Sequence, residues 1–203
     1  MLYNIVYAMY HQPIGVAILA GGKASRMQGA NKALLYYRGE SFLGHMAKEL
    51  DGFDEYLLST SDGELTNDTR FRLVPDIYSE KGPIGGLHAL LNAAKSSALL
   101  VLPCDMPLYE RRLGDFLLSF LGKGYDAWIC RTPDGHLHPL CGVYTKACLP
   151  AIETCIRRDK LSLLDIYPLV NAHFADTAKA GLGPEIFTNI NTPDDLARLT
   201  KAP

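Results

Sequence analysis

An unbroken apolar run, Ile14-Gly15-Val16-Ala17-Ile18-Leu19-Ala20, follows Pro13 and ends on glycines. Short runs of this kind suit strands buried on both faces, as in a parallel sheet. Others recur at Tyr56-Leu57-Leu58 after an acidic turn, at Phe71 to Val74, at Ala98 to Leu102 and at Ala127 to Cys130. Between them the apolar positions change to a helical period. Ser41 to Leu50 opens on a capping serine and sets Phe42, Leu43, Met46 and Leu50 on one side. Gly86 to Lys95, Leu113 to Leu121 and Lys146 to Ile156 repeat the pattern. Asp194 to Leu199 closes the series, capped by Thr192 with Pro193 at the first helical position.

Strand and helix alternate in this way over about 130 residues, which predicts right-handed βαβ units and a mostly parallel sheet covered on both faces. After Gly135 the pattern loosens, and His136 to Tyr144 alternates more like an antiparallel hairpin. There are no repeats, low-complexity tracts or long linkers. The reading is one domain over residues 14–203, preceded by an N-terminal extension of residues 1–13. In such open sheets ligands bind beyond the carboxyl ends of the strands, so chemistry is expected in the segment after each run.

Composition narrows the function. The 203 residues carry 20 basic and 22 acidic side chains, a net charge of −2, and 48% are hydrophobic. That excludes a disordered tail and argues against sequence-independent nucleic-acid binding, which needs a broad basic surface. Any anion must be held by local chemistry. The five cysteines, Cys104, Cys130, Cys141, Cys148 and Cys155, form no C-x-x-C pair and fit a reducing compartment. Cys148 and Cys155 lie seven apart on a predicted helix and read as buried small hydrophobes. No stretch approaches the ~18 continuous apolar residues of a membrane span, and the first residues lack a signal peptide's basic region. A cytoplasmic protein without membrane or nucleic-acid partners is expected.

Four segments carry candidate chemistry. Gly21-Gly22-Lys23-Ala24-Ser25-Arg26-Met27-Gln28-Gly29-Ala30-Asn31-Lys32 follows the first strand. It is neither a Walker A loop nor G-x-G-x-x-G, yet glycines let backbone N–H groups approach phosphate closely, and Lys23, Arg26 and Lys32 bring three positive charges with no intervening acid. A solvated glycine loop is the competing reading. In Pro103-Cys104-Asp105-Met106-Pro107, a carboxylate at a strand's carboxyl end is placed to hold Mg²⁺, which takes one or two carboxylates plus waters and substrate phosphates. It could equally form a turn. Pro75-Asp76, followed by Lys81-Gly82-Pro83-Ile84-Gly85-Gly86, offers a carboxylate and close backbone to a base or ribose, or simply a glycine-rich helix entry. Asn189 and Asn191 point to one side if their stretch is extended. His136, His138 and Cys141 imitate a zinc site, but on a strand Cys141 faces away from the two histidines and no fourth ligand is obvious. His138-Pro139-Leu140 reads better as part of a substrate wall.

In this order and spacing, LAGGKASRMQGANKALL, PDIYSEKGPIGGLHAL, PCDMP, HPLCGVY and NINTPDDL resemble the molybdenum cofactor guanylyltransferases, within the wider nucleotidyltransferase group. The resemblance spans roughly residues 14 to 200. It implies a Rossmann-like three-layer α/β/α nucleotidyltransferase fold and transfer of GMP from GTP to the terminal phosphate of molybdenum-molybdopterin, with Mg²⁺ as cofactor. Molybdoenzyme apoproteins and other cofactor-assembly proteins become candidate partners. By the same resemblance Leu19, Ala20, Gly21 and Gly22 meet the guanine nucleotide and Lys32 its phosphates. Ser59 stands where the family often has asparagine, Asp76 serves the base or ribose, and Asp105 serves both Mg²⁺ and GTP. Asn189 and Asn191, with His138, fall on the molybdopterin side. Arg26, Lys32 and Asp105 are the expected catalytic residues. Gln28 stands where the family has glycine, and Asn31 where it often has an acid. The segment usual near residue 160, where the family carries arginine, reads Arg157-Arg158-Asp159-Lys160-Leu161-Ser162-Leu163. CTP as donor, a sugar phosphate as acceptor, or a nucleotide-binding module without turnover are the rival readings.

Overall fold

The computed structural model describes residues 13–20, 35–60, 68–190 and 192–201. Seven strands form the main sheet: β1 (Ile14–Leu19), β4 (Glu55–Ser59), β5 (Arg72–Val74), β6 (Ala98–Pro103), β7 (Ala127–Arg131), β8 (Leu137–Thr145) and β9 (Ala172–Asp176). Two short strands, β2 (Tyr36–Tyr37) and β3 (Glu40–Ser41), make a separate hairpin. The strand order is β5-β4-β1-β6-β8-β7-β9. Each neighbouring pair is parallel except the two made by β8, which runs antiparallel to both β6 and β7.

Among the described residues the α-helices are α1 (Phe42–Glu49), α2 (Pro83–Ala93), α3 (Arg111–Leu118), α4 (Leu149–Arg157) and α5 (Pro193–Lys201). Alternate residues of β1 divide between two apolar cores. Ile14, Val16 and Ile18 join α1 and α3 on one face, while Ala17 and Leu19 join α2 and α4 on the other. Leu100 and Leu102 of β6 face the first core, and Leu99 and Val101 the second. This two-sided burial is why the strands read as continuous apolar runs. The expected three-layer α/β/α architecture with a mostly parallel sheet is the one observed.

The predicted caps form as expected. Ser41 Oγ accepts from Gly44 N at 3.0 Å and starts α1. Thr192 Oγ1 accepts from Asp195 N at 3.1 Å while Asp195 Oδ2 accepts from Thr192 N at 2.8 Å, a reciprocal cap on α5. Helix α2 begins at Pro83, three residues earlier than its periodicity suggests, because Pro83 suits the first helical position and Gly82 at φ +64°, ψ −152° turns the chain into it. All five cysteines are buried thiols; burial pushes Cys148 up to about 12. Cys148 and Cys155 lie in the same core. Among the described residues no helix is long and apolar enough to cross a membrane.

Candidate functional site

Register alone gathers the predicted residues. Leu19 pairs with Ser59 on β4 and with Pro103 on β6, and Ser59 pairs with Val74 on β5. Four parallel strands therefore end level with one another, and the chain leaves each at the same edge of the sheet. Ala20 N donates to Ser59 O at 3.2 Å, Thr60 N to Val74 O at 3.1 Å and Cys104 N to Leu19 O at 3.1 Å, continuing the ladders one step past the strands. Asp76 thus emerges on one side of Ala20 and Asp105 on the other.

On the Asp76 side, Ser59 Oγ donates to Asp76 Oδ1 at 3.2 Å, and Ser59 is only 1% exposed. Desolvation, opposed by the Ser59 hydroxyl, raises the Asp76 pKa above the ordinary carboxylate value. The amino end of α2 closes over this pair. Gly86 abuts Leu19, Ser59 and Asp76, and Gly85 lies against the Tyr78 carbonyl. The glycines of Gly82-Pro83-Ile84-Gly85-Gly86 thus let a helix end approach the strand ends where a side chain would separate them. Tyr78 is held by an edge-on contact with the His88 ring of α2, centroids 4.9 Å apart.

On the other side, Asp105 is half-buried and its Oδ1 is buried. Its backbone carbonyl accepts from Ile190 N at 3.0 Å, which brings exposed Asn189 to the same edge. The next residue, Met106, links this loop to β8: the Cys141 thiol donates to Met106 Sδ at 3.1 Å. A bulge in β8 makes that contact. Ile129 pairs with Gly142, but Cys130 pairs with His138, so Pro139, Leu140 and Cys141 leave the ladder.

The bulge also aims His138. Its ring stacks on Phe187 at 4.0 Å and 22°, and His136 meets it edge-on at 4.8 Å. The His136 and His138 rings meet, while the bulge turns Cys141 away from them into the core beside Met106. Desolvation, then the neighbouring His136, lowers the His138 pKa to about 4, so its imidazole is neutral at pH 7. Thr132 Oγ1 lies 3.4 Å from His138 Nε2. Phe187 has only a faint signal in the sequence, an aromatic two residues before the Asn-x-Asn pair.

Leu19, Ala20, Ser59 and Asp76 therefore meet at one side of the site, with Asp105 and Asn189 at the other, and His138 reaches the Asn189 segment through Phe187. Gly21, Gly22, Lys23, Arg26, Lys32 and Asn191 lie outside the described residues. The donor set at Asp105 suits a hard divalent ion: one carboxylate at an open strand edge leaves room for waters and phosphate oxygens.

The model of the MobA-like NTP transferase domain matches residues 16–173. The probable molybdenum cofactor guanylyltransferase of Pelotomaculum thermopropionicum is 37% identical over 191 residues, covering 92% of this chain and 91% of that protein. A probable molybdenum cofactor guanylyltransferase of Clostridium perfringens is 30% identical over 197 residues, covering 91% and 95%. Among solved structures, molybdopterin-guanine dinucleotide biosynthesis protein A of Archaeoglobus fulgidus superposes with a TM-score of 0.79 at 24% identity, covering 92% and 97%. The 2-C-methyl-D-erythritol 4-phosphate cytidylyltransferase of Thermus thermophilus, at 16% identity and TM-score 0.69, shares the fold over 91% of this chain and 96% of its own.

Proposed function

The chain belongs to the family of the MobA-like NTP transferase domain, and on that premise we propose that it is a molybdenum cofactor guanylyltransferase working in the cytoplasm. A terminal phosphate oxygen of molybdenum-molybdopterin attacks the α-phosphorus of GTP in line. The bond from the α-phosphorus to the bridging oxygen breaks, and that oxygen leaves with pyrophosphate. The new phosphoanhydride is the molybdopterin guanine dinucleotide linkage. The observation that carries this reading is the level ending of β5, β4, β1 and β6, which brings the chain segments bearing Asp76 and Asp105 out at the same sheet edge as Ala20.

A phosphate nucleophile is already ionised at pH 7, so the protein's work is alignment and charge neutralisation rather than base catalysis. Asp76, oriented by the Ser59 hydroxyl under the glycine-rich end of α2, accepts from the nucleoside, with Leu19 and Ala20 as its apolar floor. Gly21 and Gly22 bring backbone N–H groups to the phosphates. Lys32 and Arg26 neutralise charge growing on the pyrophosphate oxygens, Arg26 by paired N–H donors. Asp105 would hold Mg²⁺, which when bound neutralises phosphate charge. Asn189 and Asn191 orient the acceptor phosphate, and the neutral His138 forms part of the wall beside them. Handing of the product to molybdoenzyme apoproteins or other assembly proteins fits this role.

Pyrophosphate release with GTP, Mg²⁺ and molybdenum-molybdopterin tests the proposal. Release that requires all three, and that CTP, ATP and UTP do not support, is expected. Equal release with CTP, or release driven by a sugar phosphate in place of the pterin, would reassign the substrates.

A further inference from the structure

Among the described residues, none of helix α5 joins either main core. Those two cores contain no residue beyond Phe187, whereas Leu196 and Leu199 of α5 join a third apolar cluster with Tyr37, Phe42, Leu108 and Ile190. Its members come from three stretches to which the proposed reaction gives separate tasks. Tyr37 and Phe42 belong to the β2–β3 hairpin and to α1, the first described elements after the glycine-rich segment. Leu108 follows closely on Asp105, and Ile190 stands between Asn189 and Asn191.

Hydrogen bonds tie the hairpin to α1 and, separately, the Asp105 stretch to the asparagine stretch; the apolar cluster joins the two sets. Phe42 N donates to Leu35 O at 2.9 Å, Ile190 N donates to Asp105 O at 3.0 Å, and the His45 ring nitrogen Nε2 lies 2.6 Å from Tyr37 O. Ile190 is 1% exposed, so the chain around Asn189 is anchored by an apolar side chain inserted among Tyr37, Phe42 and Leu108, while its backbone N–H holds the carbonyl of Asp105, the residue assigned to the ion and GTP. A cluster this small, apart from both main cores, forms a local unit whose order is won or lost separately from the rest. Ligands that fix one of its arms therefore bias the others, and the bias must run both ways.

We propose that α5 and this cluster act as a clamp coupling the two substrate sites: occupation of the GTP side favours the Asn189 arrangement that receives the molybdopterin phosphate, and the reverse. The inference rests on the transfer reading above. Leu199 is then a positioning residue, buried in the cluster and offering no polar atom to either substrate.

The test measures GTP affinity, with Mg²⁺, in the presence and absence of molybdopterin by calorimetry. In the wild-type protein and in Leu199→Met, GTP binds roughly fivefold more tightly when molybdopterin is present, and molybdopterin gains by the same factor. In Leu199→Ala that ratio falls toward one, while the fluorescence melt of Trp128 in the main core moves by only a few degrees. Should Leu199→Ala not yield folded protein, Leu196→Ala, half-buried on the same helix, is read in the same way. A ratio of one in the wild type, or a ratio that survives in the alanine variant, overturns the clamp. Wild-type protein that binds both ligands cooperatively yet releases no pyrophosphate would instead defeat the transfer reading and leave the clamp standing.

Discussion

A Cβ built on Gly86 falls 2.5 Å from Leu19 Cδ2 and 2.9 Å from Ser59 Oγ, with Asp76 Oδ1 at 3.6 Å. Alanine favours a helix interior by about 1 kcal/mol over glycine, but here both neighbours are buried and one is hydrogen-bonded. The overpacking cost of about 1–3 kcal/mol exceeds that gain, so Gly86→Ala is expected to lower the denaturation midpoint and weaken GTP binding together. For Asp105→Asn the fold should survive while turnover drops by about 10²–10³-fold, as when a group that organises transition-state charge is removed. Pyrophosphate release compared with the melting temperature separates the two effects; near-normal release would remove Asp105 from the metal site. His138 gives a pH signature. Its folded pKa of about 4 is below the ordinary histidine value of 6.5, so the folded state resists protonation. Its neutral-state contribution is complete above pH 6.5 and declines as the pH falls toward 4. His138→Gln should flatten that part of the melting-temperature profile relative to the wild type. An unchanged slope would place the imidazole in solvent. At this scale Ser59, Asp76 and Asp105 are legible in the chain because each closes or follows an apolar run. Phe187 is not, because its partner His138 is 49 residues away and meets it only through a bulge.

The elements most legible in the sequence are those whose pattern is set by two cores at once: β1 and β6 are apolar throughout because neither face meets water. Less legible are elements defined by long-range pairing. Strand β9 reads Ala-His-Phe-Ala-Asp and lacks a strong alternation; it is a strand because β7 supplies the ladder, and His173 stacks flat on Tyr125 at 4.6 Å. The β2–β3 hairpin turns on Arg38 and Gly39, both at positive φ, and the arginine at such a site masks the usual turn signal. The bulge of β8 likewise has no local marker, since what it satisfies, the contact of Cys141 with Met106, lies across the sheet. Helix α5 is the opposite case: Thr192, Pro193 and Asp195 announce it locally, although little apolar surface holds it. Its cap is correspondingly important. Thr192→Ala removes the acceptor for Asp195 N and should cost about 1 kcal/mol, confined to this helix. Amide exchange across residues 195–199 is expected to quicken while protection in β1 and β6 is unchanged; equal quickening in the sheet would show that α5 belongs to the global unit.

Across the whole molecule, the net charge of −2 hides an uneven arrangement. Asp76 and Asp105 follow strands that end level at one sheet edge, and the sequence after Ala20 carries Lys23, Arg26 and Lys32 with no intervening acid. A small polyanion accompanied by a divalent ion answers both signs of charge. This makes stability itself a readout of ligand identity. Trp128, the one tryptophan, is buried in the first core, and its Nε1 donates to Leu117 O at 2.6 Å, tying β7 to α3. Its fluorescence therefore follows loss of the main core. GTP at 100 times its dissociation constant should stabilise the folded state by about 2.7 kcal/mol, and the Trp128 melt should rise accordingly. Chelating the divalent ion is expected to remove most of that rise for the wild type. In Asp105→Asn the rise should already be small and indifferent to chelator, because the carboxylate that ties ion and nucleotide to the edge is gone. CTP at the same concentration should leave the melt nearly unmoved. A chelator-insensitive shift in the wild type would mean that GTP is held without the ion, and Asp105 would then lose its proposed role at the β6 end.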